Sequence, residues 1–136
     1  MGMRRIYRTK VDAAHNIPGH VTCGETHGHT YKIEVTLSSV PDYEFVDFHD
    51  IAKFCDCIIN DFDHRNISEP TVSKNGDNCL KRLPAIHTAE QFAEYLHEEL
   101  YIAWVEYLKN MHPDKDHAAT VKVQVFETSK FGVEFS

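Results

Sequence analysis

The sequence predicts an α+β fold, a four-stranded antiparallel sheet carrying two helices on one face, in the order ββααββ. Three observations predict it. Segments 6–15, 27–37 and 120–128 alternate apolar and polar residues at the period of a half-buried strand. Segments 47–62 and 88–104 instead repeat apolar residues at helical spacing. The helical segments also follow one another without an intervening strand, which segregates helices to one side of an antiparallel sheet. A chain of 136 residues suits one domain over 1–136.

Each element has its own warrant. In 6–15, Tyr7, Thr9, Val11, Ala13 and His15 share a face, so His15 ends a mostly apolar stripe. In 27–37, Tyr31, Ile33, Val35 and Leu37 form the apolar face, and His27 and His29 begin it. Asp47 is placed to cap a helix running to about Phe62, with Phe48, Ile51, Cys55, Ile58, Ile59 and Phe62 along one side. Cys55 belongs to that stripe, so its place is in the core. Segment 65–86 contains Pro70, Asn75, Gly76, Asn78 and Pro84 and reads as a long loop, a lid or an insertion. Thr88 with Gln91 three residues on forms a capping box for a second helix, whose buried stripe is Phe92, Leu96, Leu100, Ala103 and Trp104. Val121, Val123 and Val125 then define an apolar strand face, and 131–135 forms a last short strand.

Composition narrows the function. The formal charge of −7 argues against a nucleic-acid or membrane-surface partner. No apolar run reaches membrane-spanning length, and the first residues lack a signal-peptide core, which makes the cytoplasm the expected compartment. The four cysteines do not form paired CxxC motifs and read as free thiols. Of the ten histidines, His49, His97, His112 and His117 read as solvated surface residues.

The candidate chemistry lies in His27-Gly28-His29. Side chains two apart on a strand share a face, so His27 and His29 project together and glycine leaves the other face bare. His15 ends a second apolar stripe in the same way. Buried polar groups need partners, and a metal ion would supply one. Three imidazoles leave a fourth position open, the pattern of catalytic rather than structural zinc. A closed structural site with Cys23 as the fourth ligand is the alternative. Glu127 falls on the face of Val121, Val123 and Val125. It reads equally as a salt bridge or a strand end reaching solvent, or as a pocket carboxylate receiving ligand N–H groups. Asp63-His64 taken alone reads as the end of the first helix, where a histidine suits the helix dipole.

Six segments taken in order carry a resemblance. They are Ala13-Ala14-His15, Cys23-Gly24-Glu25-Thr26-His27-Gly28-His29 followed by Tyr31, Val46-Asp47-Phe48, Asp63-His64-Arg65-Asn66, His87-Thr88-Ala89-Glu90 and Val125-Phe126-Glu127-Thr128. Together they resemble the 6-pyruvoyltetrahydropterin and 6-carboxytetrahydropterin synthases of the tunnelling fold, over almost the whole chain. The resemblance implies that His15, His27 and His29 hold zinc and that Cys23 is the catalytic thiol. It implies that Asp63 and His64 complete a proton relay, that Glu127 anchors a pterin, and that Thr88 and Glu90 lie in a segment lining the pterin pocket. It also implies trimers whose sheets close into a barrel, stacked as hexamers, with active sites between subunits.

The family substrate is 7,8-dihydroneopterin triphosphate. The spacing of Cys23 to His27 resembles the enzyme that makes 6-carboxytetrahydropterin for 7-deazaguanine (queuosine) biosynthesis, releasing acetaldehyde and triphosphate. The animal-type pyruvoyl enzyme usually has a longer gap there. Related members use a glutamate near the His-Gly-His to make a hydroxymethyl pterin, and Glu25 lies close to that position. A non-catalytic pterin- or zinc-binding protein would keep the ligands but lose the relay. Lys32 and Arg65 are candidate phosphate contacts by charge and nearness to these motifs. The 65–86 loop looks longer, and the turn before Phe45 shorter, than the family pattern.

Overall fold

The computed structural model describes residues 2–21, 24–73 and 82–136. Strand β1 (Arg5–His15) runs antiparallel to β2 (His27–Val40), and β2 runs antiparallel to β6 (Ala118–Phe126). Strand β7 (Gly132–Phe135) folds back on β6. Helices α1 (Phe48–Ile59) and α2 (Ala89–Met111) cover one face, α2 along β6 and β7, α1 against α2 and β1.

The 65–86 segment contributes short strands that its loop-like composition does not predict. β3 (Arg65–Asn66) adds to the outer edge of β1 at Ala13 and Ala14, in parallel, so the sheet has five strands in the order β3-β1-β2-β6-β7. β4 (Thr71–Val72) and β5 (Arg82–Leu83) pair separately. Two-residue strands have no periodicity to read. They are set by the backbone groups they meet.

The caps explain the helix starts. Asp47 accepts a hydrogen bond from the His49 N–H at 2.8 Å, and Thr88 accepts one from the Gln91 N–H at 3.1 Å. Gln91 reaches back one residue further than a capping box requires, accepting from the His87 N–H at 2.8 Å. α1 ends at Ile59 and tightens into a 3₁₀ turn over Asn60–Phe62, short of the single helix expected to Phe62. Phe48, expected on the buried stripe, is 73 % exposed at the first turn, beside the Arg5–Tyr7 edge of β1.

The core lies between helices and sheet. Tyr31, Val35 and Leu37 of β2 and Phe92, Leu96 and Trp104 of α2 share one core cluster, all fully buried. The Trp104 Nε1–H donates to the Ser38 carbonyl at 2.9 Å, so the largest core side chain carries no unmet donor. Cys55 is fully buried in this core, as its stripe predicts. His112 and His117 are less free than surface residues: His112 stacks on Tyr43 at 3.7 Å, and the His117 Nε2 lies 2.5 Å from the Tyr43 hydroxyl.

Candidate metal centre and pterin site

Strand pairing builds the site. In the β1–β2 register His15 faces His27 and Ala13 faces His29, so two adjacent strand ends deliver three imidazoles to one place. Their ring centroids lie 4.5 to 4.9 Å apart, and one ligating nitrogen from each falls within 4.8 Å of the others. The edges of the His15 and His29 rings rest on Tyr31, which in turn packs against Phe92. The floor of the cluster is therefore apolar core.

The hydrogen bonds fix which nitrogen is available. The His15 Nδ1–H donates to the His87 carbonyl at 2.7 Å, and the His27 Nδ1–H donates to the Glu25 carbonyl at 2.8 Å. With Nδ1 so engaged, Nε2 is the nitrogen each ring has left to offer a metal. This is the backbone-carbonyl support that orients metal-ligating histidines. His15 is 1 % exposed, and its Nε2 is buried without a hydrogen-bond partner. A buried nitrogen that meets no hydrogen bond, aimed at two more imidazoles, fits a divalent cation of the zinc type. Burial holds the His29 imidazole below its usual range. His15 and His27 lower it further, while Glu127 opposes them. The neutral ring is the form that binds metal.

Glu127 follows β6 by one residue. The expected strand to 128 stops at Phe126 because the Glu127 N–H turns to the Phe131 carbonyl, at 3.1 Å. Gly132 allows this hairpin to close: a Cβ there would collide with the Phe126 ring. The turn holds the half-buried Glu127 carboxylate at the cluster, with Oε1 3.0 Å from His15 Nε2 and 3.4 Å from His29 Nε2. The structure thus shows Glu127 in ion-pair geometry with His15 and His29, not at a strand end open to solvent.

Asp63 and His64 form a second cluster. They do not end α1, which has already terminated. Asp63 is extended and His64 adopts a left-handed backbone, φ +56°. Their side chains lie 3.5 Å apart, close to Asp12. A cavity of about 500 Å³, lined among others by His29, Gly28, Thr30, His64 and Arg65, joins this cluster to the end of β2. Arg65 donates to the Val72 carbonyl at 3.1 Å and keeps a buried Nη1 without a partner. Lys32 lines a different surface hollow with Arg8, Lys10 and Phe126.

Thr88 and Glu90 stand at the start of α2, Thr88 as its cap and Glu90 exposed in the first turn. The segment reaches the histidine cluster through the His87 carbonyl instead. Asn16 secures it by accepting from the His87 ring Nδ1–H at 2.9 Å. Neither His87 nor Asn16 carries a periodic signal in the sequence. Cys23 lies outside the described residues.

Comparison with known proteins places these features in context. The family model described as 6-pyruvoyl tetrahydropterin synthase matches residues 5–136. The chain is 38 % identical over 76 residues to an Archaeoglobus fulgidus protein named "Putative 6-carboxy-5,6,7,8-tetrahydropterin synthase", covering 54 % of this chain and 66 % of that protein. It is 35 % identical over 101 residues to a Pyrococcus furiosus dihydroneopterin monophosphate aldolase, covering 61 % of this chain and 88 % of the relative. Among solved structures, a 6-pyruvoyl tetrahydropterin synthase from Plasmodium vivax superposes with a TM-score of 0.61 at 15 % identity, over 98 % of this chain and 97 % of that one. Protein WS1659 of Wolinella succinogenes superposes with a TM-score of 0.66 at 14 % identity, with the same coverages. These two superpositions show a shared fold.

Proposed function

The chain belongs to the 6-pyruvoyl tetrahydropterin synthase family, and from that premise we propose that it is a zinc-dependent 6-carboxy-5,6,7,8-tetrahydropterin synthase. Its substrate in this reading is 7,8-dihydroneopterin triphosphate, cleaved with loss of acetaldehyde and triphosphate on the way to 7-deazaguanines such as queuosine. The observation that carries it is the convergence of His15, His27 and His29, the first two oriented by backbone carbonyls and the His15 Nε2 buried at the centre of the cluster. These residues would hold the zinc, which when bound acidifies hydroxyl and C–H groups of the substrate side chain.

The remaining residues divide the work. Glu127 accepts paired N–H bonds from the aminopyrimidinone edge, a charge-assisted recognition. Asp63 orients the His64 imidazole, and Cys23 with His64 moves protons at the side-chain carbons. Thr88 and Glu90 border the pterin at the start of α2. The 38 % identical archaeal relative supports the carboxy assignment.

The Pyrococcus relative favours a second reading, since it is matched over 88 % of its length and is named an aldolase. In it the substrate is a dihydroneopterin phosphate and one C–C bond breaks to leave a hydroxymethyl pterin, with Glu25 beside the histidines. One experiment separates the readings. The zinc-loaded protein is incubated with 7,8-dihydroneopterin triphosphate and, in parallel, with the monophosphate, and products are identified by mass spectrometry with aldehyde trapping. Acetaldehyde and a carboxypterin support the synthase. Glycolaldehyde or its phosphate with a hydroxymethyl pterin establishes the aldolase, and a pyruvoyl product without aldehyde establishes the pyruvoyl branch. Absence of turnover on both overturns the enzymatic proposal.

A further inference from the structure

Asp12 is the point at which the relay cluster and the strand of the metal ligands meet. Its N–H donates to Asp63 Oδ1 at 2.9 Å, and its carbonyl accepts from the His64 N–H at 2.6 Å. Its carboxylate accepts from the Thr30 hydroxyl at 2.5 Å. Thr30 follows His29 on β2 and stands directly opposite Asp12 in the register. The N–H, the carbonyl and one carboxylate oxygen of Asp12 are thus committed to the relay or to the neighbour of a metal-ligand candidate.

The left-handed backbone of His64 gives this arrangement a purpose. A non-glycine residue holds φ near +56° only where its surroundings determine it. The His64 side chain is 78 % exposed and lies 3.5 Å from Asp63, too long for a strong hydrogen bond. Packing therefore does not fix it. The His64 N–H bond to the Asp12 carbonyl does, with the Asp12 N–H holding Asp63 beside it. Gly28, with no side chain, and Thr30 line the cavity into which His64 faces. We infer that Asp12 and Thr30 form a clasp, positioning residues that hold the Asp63–His64 pair in place at the edge of β1. The inference rests on the proposed role of that pair in proton transfer.

Thr30→Val tests it, because valine keeps the shape and β-branching of an exposed strand residue and removes the hydroxyl. The expected result is a kcat lowered on the order of tenfold to a hundredfold, with KM and bound metal unchanged and with Thr30→Ser restoring the rate. A Thr30→Val enzyme with wild-type kcat, or a serine variant as slow as valine, overturns the clasp. So does loss of metal in Thr30→Val, which would assign Thr30 to the metal strand alone. Amide hydrogen exchange of His64 reads the same clasp without turnover. Faster exchange in Thr30→Val supports it, unchanged exchange refutes it, and either result holds if the wild-type protein proves inactive on pterins.

Discussion

Cys55 and Cys57 lie two residues apart on α1 and differ in environment. Burial, assisted by the neighbouring Asp56, pushes the Cys55 thiol up to about 12, whereas Cys57 is partly exposed. An ordinary thiol titrates near about 8.5, so at pH 8 Cys55 presents a thiolate fraction on the order of one in ten thousand. Native protein treated with iodoacetamide at pH 8 is expected to leave Cys55 unmodified, and unfolding in urea to expose it. Peptide mapping checks both. Asp42 supplies a pH dependence. The Met3 N–H, at 2.7 Å, and the Arg5 guanidinium, at 3.1 Å, hold its carboxyl below the usual range. A depressed folded-state pKa adds stability above the unfolded value, about 3.9, and loses it as pH falls through the folded value. The stability gap between wild type and Asp42→Asn, measured by urea unfolding, is expected at pH 6 and to close toward pH 2. It should be small, since Asp42 faces solvent. His27→Ala removes one of three candidate nitrogens, so bound zinc by elemental analysis should fall well below that of wild type. Full metal content would remove His27 from the centre.

At the scale of elements, what the sequence discloses follows the physics of each. Long strands and helices carry periodicity, so β1, β2, β6, α2 and the caps Asp47 and Thr88 are legible to within a few residues. β3 is not, because Arg65–Asn66 is chosen by the free edge of β1 at Ala13–Ala14 and not by any pattern of its own. The exposure of Phe48 is illegible for a similar reason: helical phase places it on the stripe, but the first turn lies beyond the helix partner. In the site, His15, His27, His29 and Glu127 end apolar stripes, and that anomaly points to them. The grouping of Asp63, His64 and Asp12 depends on a left-handed residue after a 3₁₀ turn, which no spacing encodes. The Thr88 cap is a direct test of local reasoning. Thr88→Ala should lower stability by about 1 kcal/mol, and because Thr88 directly follows the His87 carbonyl that holds His15, zinc affinity should weaken as well. Thermal unfolding with and without zinc would show both effects, and an unchanged Tm would leave the cap without energetic weight.

At the scale of the whole molecule, the sheet leaves two edges and one face to explain. The carbonyls and N–H groups of Asp12 and Ala14 point away from β2, since Asp12 binds Asp63 and His64, and the Ala14 carbonyl accepts from Ile67 at 2.9 Å. Strand alternation then directs the backbone groups of Ile6, Arg8 and Lys10 outward too, and among the described residues no strand pairs with them. β7 forms the other edge. The face away from the helices carries Ile6, Arg8, Lys10 and Phe126, all exposed. Free edges on a twisted sheet suit assembly by edge pairing, which is the trimeric barrel that the family resemblance implies. Light scattering on the purified protein is therefore expected to give a trimer or a multiple of it, and a monomer at micromolar concentration would contradict edge pairing. Lys10→Pro locates the interface. It removes one outward N–H while the β1–β2 ladder, made by the odd-numbered residues of β1, retains its donors. The variant should keep its helical circular dichroism and sediment as a smaller species. An unchanged assembly mass would place the contact on a surface other than the β1 edge.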